Sequence, residues 1–256
     1  LDRSSAASDV YKRQDCRSIG TEGFPSERIV RIMADNYLEK RYEEVFGSGA
    51  RKVTVKHSTP SLNTLLVKNR SIRRYRQDFI VTEEQLRTIV EVNVKLGSAM
   101  NRQALRFRIV ADDAEGKVNA ASTDKVNALR DILFREPARS ESARAYIIVY
   151  STIPEERYID IDLGISLQSM ALKAAELGLN CLIKGNIDKD RLSSLFGTGD
   201  VLEPVAVLCV GKAAESVFLK PVPADSSDEP DLKPYTKEGV HYVPKLQMDT
   251  ILLNGK

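Results

Sequence analysis

The chain has 256 residues, 42% of them hydrophobic and 29% charged, which is the size and balance of one globular domain or at most two small ones. At this length roughly 70–75% of the unfolded surface can be buried, so a core needs neither disulfides nor a structural metal. Lys and Arg total 38 against 36 Asp and Glu, a net charge of +2, so nothing draws the whole molecule to nucleic acid or an anionic membrane, and any anion site has to be local.

Residues 1–32 begin without Met and mix Ser, Arg, Asp and Gly without sustained periodicity. They are expected to be a disordered or non-native leader, with Met33 the natural start and residues 33–256 a single domain. From Met33, ADNYLEKRYEEVFGSGARK predicts a short charged helix stopped by Gly47 and Gly49. A second helix is expected at SLNTLLVKN, running into the basic turn NRSIRRYR. Thr82 followed three residues later by Gln85 is a capping-box pattern, and the helix it opens places Leu86, Ile89, Val90, Val92 and Leu96 mainly on one face before Gly97. The loop GSAMNRQA leads to a strand, LRFRIVA, with Leu105, Phe107 and Ile109 directed inward.

A polar helix is predicted from Glu115 to Phe134, and AYIIVY at Ala145 to Tyr150 reads as a buried strand. The stretch Ile159 to Leu177 has too many apolar residues for one stripe, so it should be buried on more than one side, at a domain centre or a subunit interface. Strand CLIK, the short helix DKDRLSSLF capped by Asp188 and strand PVAVLCVG follow. The Pro-rich region Ser216 to Tyr242, acidic at SSDEPD, reads as an extended excursion before a C-terminal helix near Met248 to Leu253. Strands and helices alternate without a clean βαβ series, and no GxGxxG follows the first strand. The prediction is an α+β domain with a mixed central sheet flanked by helices.

Reactive side chains are scarce: two histidines (His57 and His241), three cysteines (Cys16, Cys181 and Cys209) and no tryptophan. No HExxH or CxxC cluster offers metal ligands and no GxSxG elbow is present, so metal hydrolysis and a Ser-His-Asp machine are disfavoured, and an enzyme here would rely on a bound cofactor. No apolar run approaches a membrane span, and Cys181 and Cys209 sit in apolar runs as reduced core residues would, so a cytoplasmic protein is expected.

Three constellations could carry chemistry. Arg70, Ser71, Arg73 and Arg74 lie together after a helix, where guanidinium forks and a hydroxyl suit a phosphate; the plainer alternative is a solvated basic surface pairing with Glu83 or Glu84. Gly97 to Gln103 joins small residues to Asn101 and Gln103, whose amides offer donor and acceptor to the edge of a heterocycle; the alternative is an ordinary helix-to-strand connection. Lys184-Gly185-Asn186 follows strand CLI, where a glycine backbone N–H can face a ligand, although a bare turn is the commoner meaning.

RSIRRY (Arg70 to Tyr75), SAMNRQALRF (Ser98 to Phe107), DLGISLQSMALKAAELGLNCLIKG (Asp162 to Gly185), EPVAVLCVGKAAE (Glu203 to Glu215) and HYVPK (His241 to Lys245), in that order, resemble the FMN-dependent nitroreductase family from about Thr59 to the C-terminus. The resemblance implies an interlocked α+β homodimer with FMN sites at the subunit interface. Arg70, Ser71 and Arg73 would then match residues at the FMN phosphate and the pyrimidine side of the ring. Ser98, Ala99, Asn101 and Gln103 would match the partner subunit's contribution. Gly185, preceded by Ile183 and Lys184, would match the residue whose backbone N–H faces flavin N5, and Lys245 a C-terminal phosphate contact. The activity implied is ping-pong transfer from NADH or NADPH to nitroaromatics, quinones or another small-molecule acceptor, with the flavin rather than a side chain as catalyst. Other flavin chemistry of the family (dehalogenation, flavin fragmentation, azoline oxidation) and non-catalytic flavin or nucleotide binding are the alternatives. Three departures stand out: Ala104-Leu105 where the family often has Pro-Trp, Lys184 where some relatives have Glu, and Leu246-Gln247 where a second basic residue is common.

Overall fold

In the computed structural model, which describes residues 60–112, 120–136, 138–222 and 230–253, the chain runs α1 (Leu62–Lys68), α2 (Glu83–Val90), β1 (Leu105–Ala111), α3 (Ala120–Leu133), β2 (Ala145–Ser151), α4 (Arg157–Glu176), β3 (Asn180–Lys184), α5 (Lys189–Phe196), β4 (Glu203–Gly211), β5 (Ser216–Val222), β6 (Tyr235–Lys237), β7 (Val240–Leu246) and α6 (Met248–Ile251). These residues belong to one compact unit, Ser58–Lys256. The leader, the charged helix after Met33 and the start of the helix expected from Glu115 lie outside the described residues.

β2 and β4 are apolar along nearly their whole length because both of their faces are covered. Ala145, Ile147 and Val149 turn to one side, where Leu86 and Ile89 of α2 and Leu167, Met170 and Ala174 of α4 meet them. Tyr146, Ile148 and Tyr150 turn to the other, where Val126 and Leu129 of α3 and Leu192 of α5 close a second core. At Val149/Tyr150 the register against β4 slips by one residue, stepping from Ala206 to Pro204, so Val205 and Ala206 both join the first core. Leu105, Phe107 and Ile109 of edge strand β1 pack on the first core as expected, while Val110 enters the second.

The four-stranded sheet, order β1-β2-β4-β3, is antiparallel at every neighbouring pair, which corrects the expectation of a mixed central sheet. β2 and β3, joined across α4, run in the same direction, but β4 inserts between them, so no parallel pair forms. Mixed pairing occurs instead in a second sheet, order β5-β7-β6, with β5 parallel and β6 antiparallel to β7. The described part of the expected excursion from Ser216 to Tyr242 is therefore largely sheet. Its strands lack the apolar runs of buried strands because most of their residues are exposed or half-buried.

The capping box at Thr82 and Gln85 forms in both directions (3.2 and 3.0 Å), and Asp188 caps α5 through the Arg191 N–H (3.0 Å). α2 stops as an α-helix at Val90 and continues as a 3₁₀ turn over Glu91–Lys95. α4 is buried on several sides as its composition predicts, yet Tyr158, Ile161 and Ile165 remain exposed along one stripe.

Gly211, the last residue of β4, lies under the ring of Tyr75: a Cβ added there would sit 2.6 Å from Tyr75 Cδ1. Since Tyr75 is itself buried, Gly211→Ala is expected to lower stability by about 1–3 kcal/mol through overpacking. Chemical denaturation checks this, and an unchanged midpoint would refute the contact.

Candidate functional site: a cationic cavity and a strained loop

The segment Arg70–Tyr75 has no regular secondary structure of its own, yet its backbone is pinned at nearly every residue. Ser71 bridges Cys181 of β3 in parallel fashion and the Ile72 N–H donates to the Cys181 carbonyl (3.0 Å). Tyr75 N–H donates to Glu141 O (2.8 Å), Arg76 N–H to Lys212 O (2.8 Å), and Arg74 O accepts from Ala214 N–H (2.8 Å). The Glu215 carboxylate accepts from the backbone N–H groups of both Arg73 and Arg74. Ile72 and Tyr75 are buried in the second core and act as anchors.

Beside these anchors, Arg70, Ser71 and Arg73 line a cavity of about 360 Å³ together with Ile183, His241 and Lys245. Among the described residues its lining carries three formal cations and no carboxylate. Arg70 Nη2 donates to Leu66 O at the end of α1, and its Nε is buried without a hydrogen-bond partner. Burial draws the Arg70 guanidinium down from its ordinary pKa, but an arginine keeps its charge, so its unpaired N–H calls for an acceptor. Arg74 turns away and holds Glu141 with two bonds of 2.7 Å, and Glu83 is taken by Arg87 of its own helix (2.6 Å). The basic turn is therefore not a surface paired with Glu83.

Ser98, Ala99, Asn101 and Gln103 form a second, separate group. Ser98 and Gln103 line a cavity of about 460 Å³ between α2, β1 and α4, distinct from the first. Met100, Asn101 and Gln103 all adopt positive φ (51°, 52° and 48°), a cluster of non-glycine residues in the left-handed region that costs strain. Ser98 Oγ accepts from the Gln103 N–H (3.1 Å) and Gln103 Nε2 donates to Asn101 Oδ1 (3.0 Å). The Asp162 carboxylate, only 6% exposed, receives the Ala99 N–H on both oxygens (3.0 and 3.2 Å).

The structure thus brings Arg70, Ser71, Arg73, Ile183 and Lys245 together and leaves the Ser98–Gln103 loop apart. Lys184 departs from the expected pattern: its Nζ donates to Leu133 O at the end of α3 (2.6 Å) and lies over the Phe134 ring, so its amine caps a helix on the other face of the sheet. A Cβ added at Gly185 would meet nothing within 4 Å, which leaves its backbone open to approach. His241 and Gln168 line the first cavity, and Asp162 the second, and none of them was singled out from the residues alone. Asp162 and Gln168 did carry a signal, since they interrupt the most apolar helix of the chain. Among the described residues no cluster of His, Cys, Asp or Glu could hold a metal ion, and no helix is long and apolar enough to cross a membrane.

Because Asp162 receives a backbone donor at the root of a strained loop, Asp162→Ala is expected to speed amide exchange across residues 99–103 and to cost about 1.5–3 kcal/mol, the range for a hydrogen bond to a charged acceptor. Exchange mass spectrometry reads the loop directly, and protection equal to that of the parent chain would contradict the role.

A family model described as the nitroreductase family matches residues 66–212. No curated protein matches the chain. Among solved structures, a nitroreductase family protein from Streptococcus pneumoniae TIGR4 is 16% identical, with 66% of this chain and 100% of that chain covered and a TM-score of 0.51. A protein from Desulfovibrio desulfuricans, described as a nitroreductase in complex with FMN, is 22% identical, with 68% and 99% covered and a TM-score of 0.51. One from Exiguobacterium sibiricum 255-15, described in the same terms, is 20% identical, with 62% and 91% covered and a TM-score of 0.51. At these identities the likeness to solved structures is one of fold. The family match spans more than half of the chain and takes in both the pinned arginine segment and the strained loop, and on that ground the chain belongs to the nitroreductase family.

Proposed function

We propose that the chain is an FMN-dependent oxidoreductase that draws electrons from NADH or NADPH and delivers them to nitroaromatics, quinones or similar small acceptors. The observation that carries this reading is a cavity lined by three cations and, among the described residues, no carboxylate, one of the cations being Arg70 with its buried, unpartnered Nε. Such a lining fits a phosphate, whose oxygens accept several charge-assisted hydrogen bonds at once. The family match and the FMN complexes of two structural neighbours support flavin as the rest of the ligand.

FMN, when bound, supplies the redox chemistry that a chain with two histidines and no metal cluster among its described residues would otherwise have to find in its own side chains. In this reading Arg70, Ser71 and Lys245 hold the phosphate. Arg73, whose guanidinium makes no ion pair among the described residues, puts positive charge where the pyrimidine edge becomes more negative on reduction. Ile183 offers apolar surface, and the backbone at Gly185 stays open to the ring.

The loop carrying Ser98, Asn101 and Gln103 lines a different cavity from Arg70 in the same chain, so its amides reach the ligand in our reading from a second copy. The exposed stripe of Tyr158, Ile161 and Ile165 on α4 supplies apolar surface for that copy to cover.

Freshly purified protein is expected to show a flavin absorbance spectrum that bleaches on anaerobic addition of NADH or NADPH. A colourless protein that takes up no added FMN would overturn the proposal. Arg70→Ala and Arg73→Ala are each expected to weaken FMN binding roughly tenfold to a hundredfold, matching a lost charge-assisted bond of about 1.5–3 kcal/mol. Sedimentation should report a dimer, and a monomer that retains FMN would exclude a two-chain site.

A further inference from the structure

His241 lies on β7 directly opposite Val217 of β5 and Thr236 of β6. Residues opposite one another share a face of the sheet, so this row forms one surface, and Val217 and His241 both line the cationic cavity. Phe218, Tyr242 and Tyr235 form the next row on the opposite surface, and Lys220 and Lys237 alternate to that side with them. They do not face His241.

Among the described residues the ring is held by one hydrogen bond, between Nδ1 and Thr236 Oγ1 at 3.1 Å. A hydroxyl both donates and accepts. It can donate to Nδ1 of a neutral ring, or accept from Nδ1–H of a charged one, so Thr236 accommodates either protonation state. In both cases Nε2 is the ring nitrogen left for a ligand.

Of the elements around the imidazole, the segment Arg70–Tyr75, an arm laid against the sheet, contributes Arg70 and Arg73, and β7 contributes Lys245. Cys181 of β3 is the other titratable group in the lining; burial pushes its thiol up, so it stays neutral. α4 and β5 present only Gln168, Ala171 and Val217, and Glu215 is occupied by the arm's backbone N–H groups. A phosphate dianion placed among these cations would bring negative charge beside the imidazole and favour a proton on it.

From this arrangement we infer that His241 is a proton-coupled phosphate ligand: it takes up a proton when the phosphate of the cofactor enters the cavity, and its own contribution to holding the cofactor grows as pH falls. This rests on the FMN reading above and adds to it a residue and a pH dependence. By linkage, a ligand that favours the protonated ring must draw protons from solution as it binds. The phosphate monoester itself titrates near pH 6 and enters as a dianion, so its own contribution is proton release, opposite in sign.

The test is calorimetric titration of apoprotein at pH 7.5 in buffers of different ionisation enthalpy, with FMN, with riboflavin and with inorganic phosphate. FMN binding should be accompanied by proton uptake in the parent chain and not in His241→Gln, and riboflavin, which lacks the phosphate, should give none. The affinity advantage of the parent over the variant should grow from pH 8 to pH 6, reaching roughly threefold to tenfold, as expected when a neutral hydrogen bond gains a charge. Equal uptake in parent and variant, or no uptake in the parent, overturns the inference while leaving FMN binding intact. If FMN does not bind, the flavin reading fails, and the difference in proton exchange between parent and variant with inorganic phosphate decides the role of His241 alone. Should His241→Gln not fold, proton NMR of the parent's two histidines with and without phosphate reads the same protonation, and an unmoved His241 ring resonance refutes it.

Discussion

The hydrogen bond from the Ile72 N–H to the Cys181 carbonyl, with Ile72 and Tyr75 sunk in the core on either side of Arg73, is the constraint on which the candidate site depends. Arginine side chains are long and lose considerable freedom when fixed, so a cluster of them becomes a site only if their backbone is already held. Here the sheet does the holding. β3 is an edge strand of its sheet, and the segment Arg70–Tyr75 fastens to it at Cys181, while its other backbone hydrogen bonds go to Glu141, Ala214 and Glu215. Gly211 matters for the same reason, because the Tyr75 ring occupies the place its side chain would need.

α4 backs both cavities. Gln168 and Ala171 lie at the cationic one, and Asp162 and Ser166 at the one beside the Ser98 loop. Gln168 lies six positions after Asp162, roughly 9 Å along the helix axis. This gives three of the polar residues of an otherwise apolar-rich helix a place: Asp162 anchors a strained loop, and Ser166 and Gln168 reach the two cavities. The strain in that loop, with positive φ at Met100, Asn101 and Gln103, persists because Asp162 and Ser98 tie its ends.

Much of the fold was legible because its signals are local. The capping box at Thr82, the Asp188 cap and the apolar runs of β2 and β4 are each written within a few residues and appear where they were read. The second sheet was not legible, because β5 and β7 pair in parallel across a long separation and their half-exposed residues leave no buried-strand pattern. The antiparallel pairing of the main sheet was hidden for a related reason: the insertion of β4 between β2 and β3 is a choice of neighbour, which periodicity does not encode. Lys184 illustrates the limit at a single residue. Its position in sequence places it beside Gly185, but alternation along β3 sends its amine to the end of α3.

By itself the sequence determined the elements and the chemical inventory: a local anion site built from arginines, a shortage of reactive side chains, and motifs in an order that resembles one family. Only the tertiary structure decided which pieces meet. It set Lys245 and His241, at the far end of the chain, beside Arg70 and Arg73, because the small sheet folds its β7 face over the arm. It also kept the Ser98 loop in a separate cavity. The physical reason is that helices and caps are settled by neighbours in sequence, whereas strand partners and cavity walls are settled by which distant surfaces can be buried together.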